Sequence, residues 1–222
     1  LHDLPHMRNK VRVFDTREEA GRVLAGMMEK YRKTDAIILA IPAGGLPVAA
    51  AMARELGLPL DVAVVSKITL PWNTEAGYGA VAFDGTVEVN EALVQQVGLS
   101  EEEVKEGAIL TREKVRRRLE SLRGDRPMPD FSSLNAILVD DGLASGFTMR
   151  VAAQAVRNAG SREITIAVPT AHFNSIRYLL DMVEAIYCPN IRDERPFAVA
   201  DAYKSWHDVS EQEAAMIIRM FN

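Results

Sequence analysis

The 222-residue chain is 48% hydrophobic and 26% charged, globular proportions that exclude a disordered or fibrous protein and favour one domain with a subdomain over two full domains. Its 26 basic and 31 acidic side chains leave a formal charge of −5. That balance argues against a nucleic-acid partner and, on its face, against a polyanionic ligand, although net charge governs long-range behaviour and not one site. The single cysteine, Cys188, excludes a disulfide framework and a Cys-based zinc cage and fits a reducing cytoplasm.

Residues 1–10 form an N-terminal extension without the apolar core of a signal peptide. A leucine at position 1 suggests that Met7 is the natural start, so residues 1–6 are set apart from function. One domain is expected over residues 11–222. Residues 11–14 alternate as a short strand, and Thr16 with Glu19 forms a capping box opening a helix to about residue 33. Residues 35–41 (DAIILAI) are a continuous apolar run, as in a parallel strand buried on both faces. The uncharged stretch 36–53 reaches the rough length of about 18 residues of a membrane span. Pro42, Gly44, Gly45 and Pro47 interrupt it, so strand, glycine turn and a helix over 45–57 fit better, and no membrane role is expected.

Residues 60–66 read as the next strand, ending at Lys67, and 68–79 as a loop rich in Pro, Asn, Thr and Gly. Residues 80–83 and 86–89 form a hairpin around Asp84-Gly85. Asn90 opens a short helix, and Ser100 with Glu103 caps a long charged helix to about residue 123. Strands follow at 135–139, 163–168 and 185–188, with helices at 148–159 and 172–181. Residues 189–208 are irregular, and Ser210 with Glu213 caps a last helix. This alternation predicts an α/β fold: a mostly parallel, Rossmann-like sheet flanked by helices, with ligands at the carboxyl ends of the strands.

After the strand NAILV comes Asp140-Asp141-Gly142-Leu143-Ala144-Ser145-Gly146-Phe147-Thr148. Two carboxylates stand at a buried strand end. Small residues and a helix N-terminus then offer backbone N–H groups to an anion. Carboxylates for vicinal hydroxyls beside a phosphate cradle suit a sugar phosphate. A Walker A loop is excluded because Phe147 stands where lysine is required, and the glycine spacing does not fit a dinucleotide fingerprint.

The segment resembles the PRPP-binding motif of type I phosphoribosyltransferases, PRPP being 5-phosphoribosyl 1-diphosphate. The resemblance extends over about residues 11–218, through Pro42-x-Gly-Gly-x-Pro-Val, Lys67, Asn73-x-Glu75, residues 79–82 (GAVA), Asn90, Ala198-Val199, Tyr203 and Trp206. It is similar to stand-alone members of bacteria and archaea. It implies a small hood subdomain that includes residues 189–209. Asp140 and Asp141 would bind the ribose hydroxyls and reach Mg2+ indirectly, through those hydroxyls or water. The stretch from Gly142 to Thr148, including Leu143, Ala144, Ser145, Gly146 and Phe147, would hold the 5-phosphate. In 6-oxopurine members an acid stands at the place of Ala144, so that chemistry is disfavoured.

The turn Ile41-Pro42-Ala43-Gly44-Gly45 would meet the diphosphate, with a non-proline cis peptide near Ala43-Gly44. Relatives usually carry Arg or Lys where Ala43 stands. Lys67 would face the diphosphate as a third catalytic group beside the two aspartates. The following loop would be a lid, from which Trp72, Asn73, Glu75 and Tyr78 would fold over the ligand. The resemblance therefore implies a transferase joining the ribose 5-phosphate of Mg-PRPP to a nitrogenous base, in a cytoplasmic homodimer. A PRPP or nucleotide sensor without turnover is the alternative, and phosphoribosyl transfer to a non-base nucleophile or hydrolysis is the third.

The basic run of Arg112, Lys114, Arg116, Arg117, Arg118 and Arg123 reads as a solvated helix face, with RNA or dimer contact as the alternatives. His172 is expected in a capping or packing role, His207 in the tail and Cys188 as a buried strand residue. Phe197, Tyr203 and Trp206 either stack on a base or pack the hood.

Overall fold

The computed structural model describes residues 1–221, the side chains of residues 74 and 75 excepted. Helix α1 (Arg17–Met27) leads to strand β1 (Ala36–Ala40), helix α2 (Gly45–Leu56) and strand β2 (Leu60–Val62). Strands β3 (Val65–Leu70), β4 (Asn73–Ala82) and β5 (Val87–Val89) follow, then helices α3 (Glu91–Val97) and α4 (Glu101–Arg123). Next come strand β6 (Asn135–Val139), helix α5 (Phe147–Asn158), strands β7 (Glu163–Ala167) and β8 (Thr170–His172) and helix α6 (Phe173–Leu179). Strands β9 (Ala185–Tyr187) and β10 (Asn190–Arg192) and helix α7 (Glu211–Arg219) complete the series.

The expected parallel sheet is present, with five strands in the order β2-β1-β6-β7-β9. The period-2 alternation of the strands divides their apolar runs between two cores. Ile38 of β1 and Ile137 of β6 pack with Leu24 of α1 and Leu46 of α2. Ile37, Leu39 and Leu138 face the other way, against Met149 of α5 and Ile176 of α6. Each such side chain, fully buried, stabilises the fold by about 1.5–3 kcal/mol. Thr16, Asn90, Ser100 and Ser210 each accept a backbone N–H in the first turn of their helix, and α2 ends at Gly57 with φ of 65°.

Four expectations are corrected. The strand read over 60–66 is broken after Val62, and Lys67 lies inside β3 of a separate antiparallel sheet, β3-β4-β5. Most of the supposed loop 68–79 is therefore hairpin. Its alternation is half-buried: Ile68 and Tyr78 are in the core and Lys67 is exposed. The glycines that suggested a loop are where strands crowd. A Cβ on Gly79 would come within 2.7 Å of Glu88 O and 2.9 Å of Ile68 Cδ1.

Residues 11–14 form no strand beyond one bridge, Phe14 to Tyr203, because φ of 53° at Arg12 interrupts the extended chain. Residues 189–208 are not wholly irregular, since β10 pairs in parallel with β8. The N-terminal residues lie against this region. His2 stacks on Tyr187 at 4.3 Å, and Asn190 Nδ2 donates to Met7 O at 2.6 Å. No helix among the described residues is long and apolar enough to cross a membrane.

Candidate functional site at the mouth of the sheet

The carboxyl ends of β1 and β6 lie side by side, and the loops leaving them touch. Ile41 N–H donates to Val139 O at 2.8 Å. A Cβ on Gly45 would come within 2.6 Å of Val139 O and 2.9 Å of Asp140 Cα, and one on Gly44 would run into the Asp141 carboxylate. The two glycines are thus what lets the first loop lie against the acidic pair. The cis peptide is at Pro42–Ala43, one bond before the expected place. Gly45 N–H is engaged with Ile41 O at 3.1 Å, whereas the Ala43 and Gly44 amides have no partner among the described residues.

In the second loop, burial and the adjacent Asp141 carboxylate push Asp140 well above the usual carboxylate range, against smaller pulls from the Asp141 amide, Arg17 and Lys67. Asp141 is also raised by burial, although Arg17 opposes it. Arg17 is 5% exposed and holds Asp141 Oδ2 with Nε and Nη2, both at 2.9 Å. Its Nη1 donates to His207 O at 2.8 Å, and its guanidinium lies 3.8 Å from the centroid of Trp206. Tyr203 Oη donates to Asp141 O at 2.6 Å.

The amides of Gly142, Ala144, Ser145, Gly146 and Thr148 have no partner among the described residues. They surround the N-terminus of α5, where the helix dipole adds partial positive charge. Leu143 N–H is taken by Thr170 O at 2.9 Å, and Phe147 N–H by Ser145 Oγ at 3.3 Å. Ala144 O accepts from Ser175 Oγ, which holds the turn open.

Three cavities ring this loop. One of about 790 Å3 runs from Ser145, Phe147 and Thr148 past Lys67 to Arg150 and Tyr178. One of about 410 Å3 lies between Ala144 and Ser145, His172 and Asn174, and Arg195 and Phe197. The third, of about 290 Å3, opens beside Pro42, Lys67, Asp140 and Thr148. His172 is 8% exposed; its Nδ1 accepts from Asn174 N at 3.2 Å, and its buried Nε2 has no partner among the described residues.

The structure brings Asp140, Asp141, Lys67, the Ala43–Gly44 turn and Gly142 to Thr148 together. It separates others. Trp72 is 62% exposed, and Tyr78 is buried beneath α4 with its hydroxyl 3.5 Å from Glu103 O. The Glu75 side chain lies outside the described residues. Cys188 is buried, and burial pushes its thiol far up. The basic face of α4 is not all solvated, since Arg123 is buried and holds both carboxylate oxygens of Asp61 at 2.9 Å.

Arg17 is the site residue that sequence reasoning missed. One signal was available: a cation in the first turn of a helix opposes the dipole and so answers to another demand.

The comparisons with known proteins agree with this geometry. The chain matches the model described as the phosphoribosyl transferase domain over residues 14–199. It belongs to that family, and its fold is the type I phosphoribosyltransferase fold. Two relatives from Mycobacterium tuberculosis, strains CDC 1551 and H37Rv, carry a provisional phosphoribosyl transferase assignment. Each is 29% identical over 211 residues, covering 94% of this chain and 47% of the relative. The chain thus spans about half the length of the curated relatives it matches. The crystal structure of TT1426 from Thermus thermophilus superposes with a TM-score of 0.76 at 29% identity, covering 94% of this chain and 98% of that one.

Proposed function

We propose that the protein transfers the ribose 5-phosphate of Mg-PRPP to a nitrogenous base. The observation that carries this reading is the half-buried Asp140–Asp141 pair beside five amides at the N-terminus of α5 that have no partner among the described residues. The amides, with the Thr148 hydroxyl, suit the three oxygens of a 5-phosphate. The carboxylates suit the two ribose hydroxyls.

A ring nitrogen of the acceptor attacks C1, the C1–O bond to diphosphate breaks, and the acceptor loses a proton. Such a step needs placement and charge stabilisation more than covalent help. Among the described residues no three His, Cys, Asp or Glu side chains cluster as a metal cage. Two carboxylates beside a phosphate site fit Mg2+, which keeps phosphate oxygens and waters and takes few protein ligands. When bound, Mg2+ would neutralise charge on the leaving diphosphate. Asp140 and Asp141 would orient it through the ribose hydroxyls or water, and Lys67 would add a fixed positive charge nearby.

The acceptor fits the cavity between Ala144 and Phe197. Because Nδ1 of His172 accepts a hydrogen bond, its neutral ring carries the proton on Nε2. That N–H is buried without a partner among the described residues, and Phe197 offers the cavity an aromatic wall. A cytoplasmic homodimer is the setting we infer.

Ala43 supports a second reading, a PRPP or nucleotide sensor without turnover, because the turn beside the diphosphate lacks a cation of its own. Purine and pyrimidine bases supplied with Mg-PRPP, with diphosphate release as the readout, separate the two. Release with any base excludes the sensor. Tight PRPP binding without release favours it, and absence of binding removes both. Release without base would instead mark hydrolysis.

A further inference from the structure

The third cavity, of about 290 Å3, contains more positive charge than the β1 loop explains. It is lined by Ile41 and Pro42 from that loop, by Val65, Ser66, Lys67 and Thr69 from β3, and by Asp140 and Thr148 from the second loop. Two further cations reach it from α4, Lys114 and Arg118. They are four residues apart, so they share one face of the helix, where like charges repel unless something between them compensates.

Their pairing sets them apart from the rest of the basic run. Arg116 is bound to Glu113 and Glu120, at 2.9 and 2.7 Å, and Arg123 to Asp61. Lys67 and Lys114 make no ion pair among the described residues. Arg118 gives one Nη2 to Glu211 at 2.6 Å, but its Nε is buried without a partner among the described residues. Ser66, 5% exposed on the same wall, has a buried hydroxyl that also lacks one.

Three cations, Lys67, Lys114 and Arg118, therefore converge on one space, and among the described residues the single carboxylate lining it is Asp140. Like charges gathered this closely repel unless an anion lies between them, and the ligand matching this set is a compact polyanion.

The geometry points to a diphosphate site in which Lys114 and Arg118 supply from α4 the charge that Ala43 leaves out of the β1 loop. This assignment rests on the PRPP reading for the identity of the donor, but it concerns which residues grip the leaving group. It makes α4 a part of the binding machinery.

Calorimetry with three probes, each with Mg2+, tests it: inorganic diphosphate, PRPP and ribose 5-phosphate. In Lys114→Gln/Arg118→Gln, diphosphate and PRPP should bind about a hundredfold more weakly, near tenfold for each charged contact removed. Ribose 5-phosphate should be unaffected. Arg117→Gln, an exposed change outside the cavity, should leave all three as they were, and Arg118→Lys should retain most of the affinity. Lys114→Gln alone, at an exposed position, guards against a folding defect in the double variant.

Wild-type affinity for diphosphate in the double variant overturns the assignment while leaving the PRPP reading intact. An equal loss of ribose 5-phosphate affinity overturns it too, because charge loss would then be acting unspecifically. A wild-type protein that binds diphosphate through these residues but not PRPP upholds the site and removes the donor. A wild-type protein that binds no diphosphate removes the site.

Discussion

The two loops at the mouth of the sheet solve the same problem differently. The loop after β6 carries its own chemistry: two carboxylates, two hydroxyls and a row of amides without a partner among the described residues lie within nine consecutive residues. The loop after β1 carries almost none. It has no charge, one of its three turn amides is engaged internally, and its glycines serve to let it approach Asp140 and Asp141. A loop that is locally complete can be read from a motif. A loop that borrows charge from β3 and α4 becomes a site only when the chain has folded around it.

The largest expected effect breaks the support of the loop after β6 from outside. Arg17→Met leaves the largely buried Asp141 carboxylate without its cation. Stability should fall by about 3 kcal/mol, lowering Tm by roughly 6–12 °C in a thermal melt. Next, Asp141→Asn removes a charged acceptor for ribose, and affinity for Mg-PRPP should fall about a hundredfold. Unchanged calorimetric affinity would refute that role.

Gly44→Ala probes the contact between the loops. Its methyl group must displace the Asp141 side chain, so a loss of about 2 kcal/mol is expected in denaturant unfolding, typical of overpacking. An unchanged midpoint would show that the loops are not in contact.

Asp140→Asn is the smallest and has the opposite sign. Because the folded-state pKa of Asp140 is raised, the native state binds its proton more tightly than the unfolded chain does. Stability from this group is complete below the unfolded value near 3.8 and declines as pH rises towards the raised native value. The amide cannot ionise, so the variant should match wild type near pH 4 and exceed it by about 1 kcal/mol at neutral pH, while binding PRPP less well. Equal melts across that range would contradict the burial of the charge.

Legibility in the sequence followed locality. The apolar runs of β1 and β6, the capping residues Thr16, Ser100 and Ser210, and Asp140-Asp141 through Thr148 carry signals that act within a few residues. The segment 68–79 was misread because Pro71, Asn73, Gly77 and Gly79 suggest a turn to any rule that ignores neighbouring strands. Close packing of β3, β4 and β5 is what those glycines answer to. Arg17 escaped because its carboxylate partner is 124 residues away.

By itself, then, the sequence determined the α/β architecture and the acidic phosphate-type loop, since both arise from short-range periodicity and adjacent donors and acceptors. Tertiary structure alone decided that Arg17 holds Asp141 against Trp206, that Lys67 stands in a separate sheet, and that Lys114 and Arg118 of α4 reach the cavity beside Pro42. Their partners are brought near only by the packing of helices against strands. The net charge of −5 illustrates the same division. It describes the molecule at a distance, whereas a small anion in the proposed site would meet amide dipoles and three cations gathered by the fold.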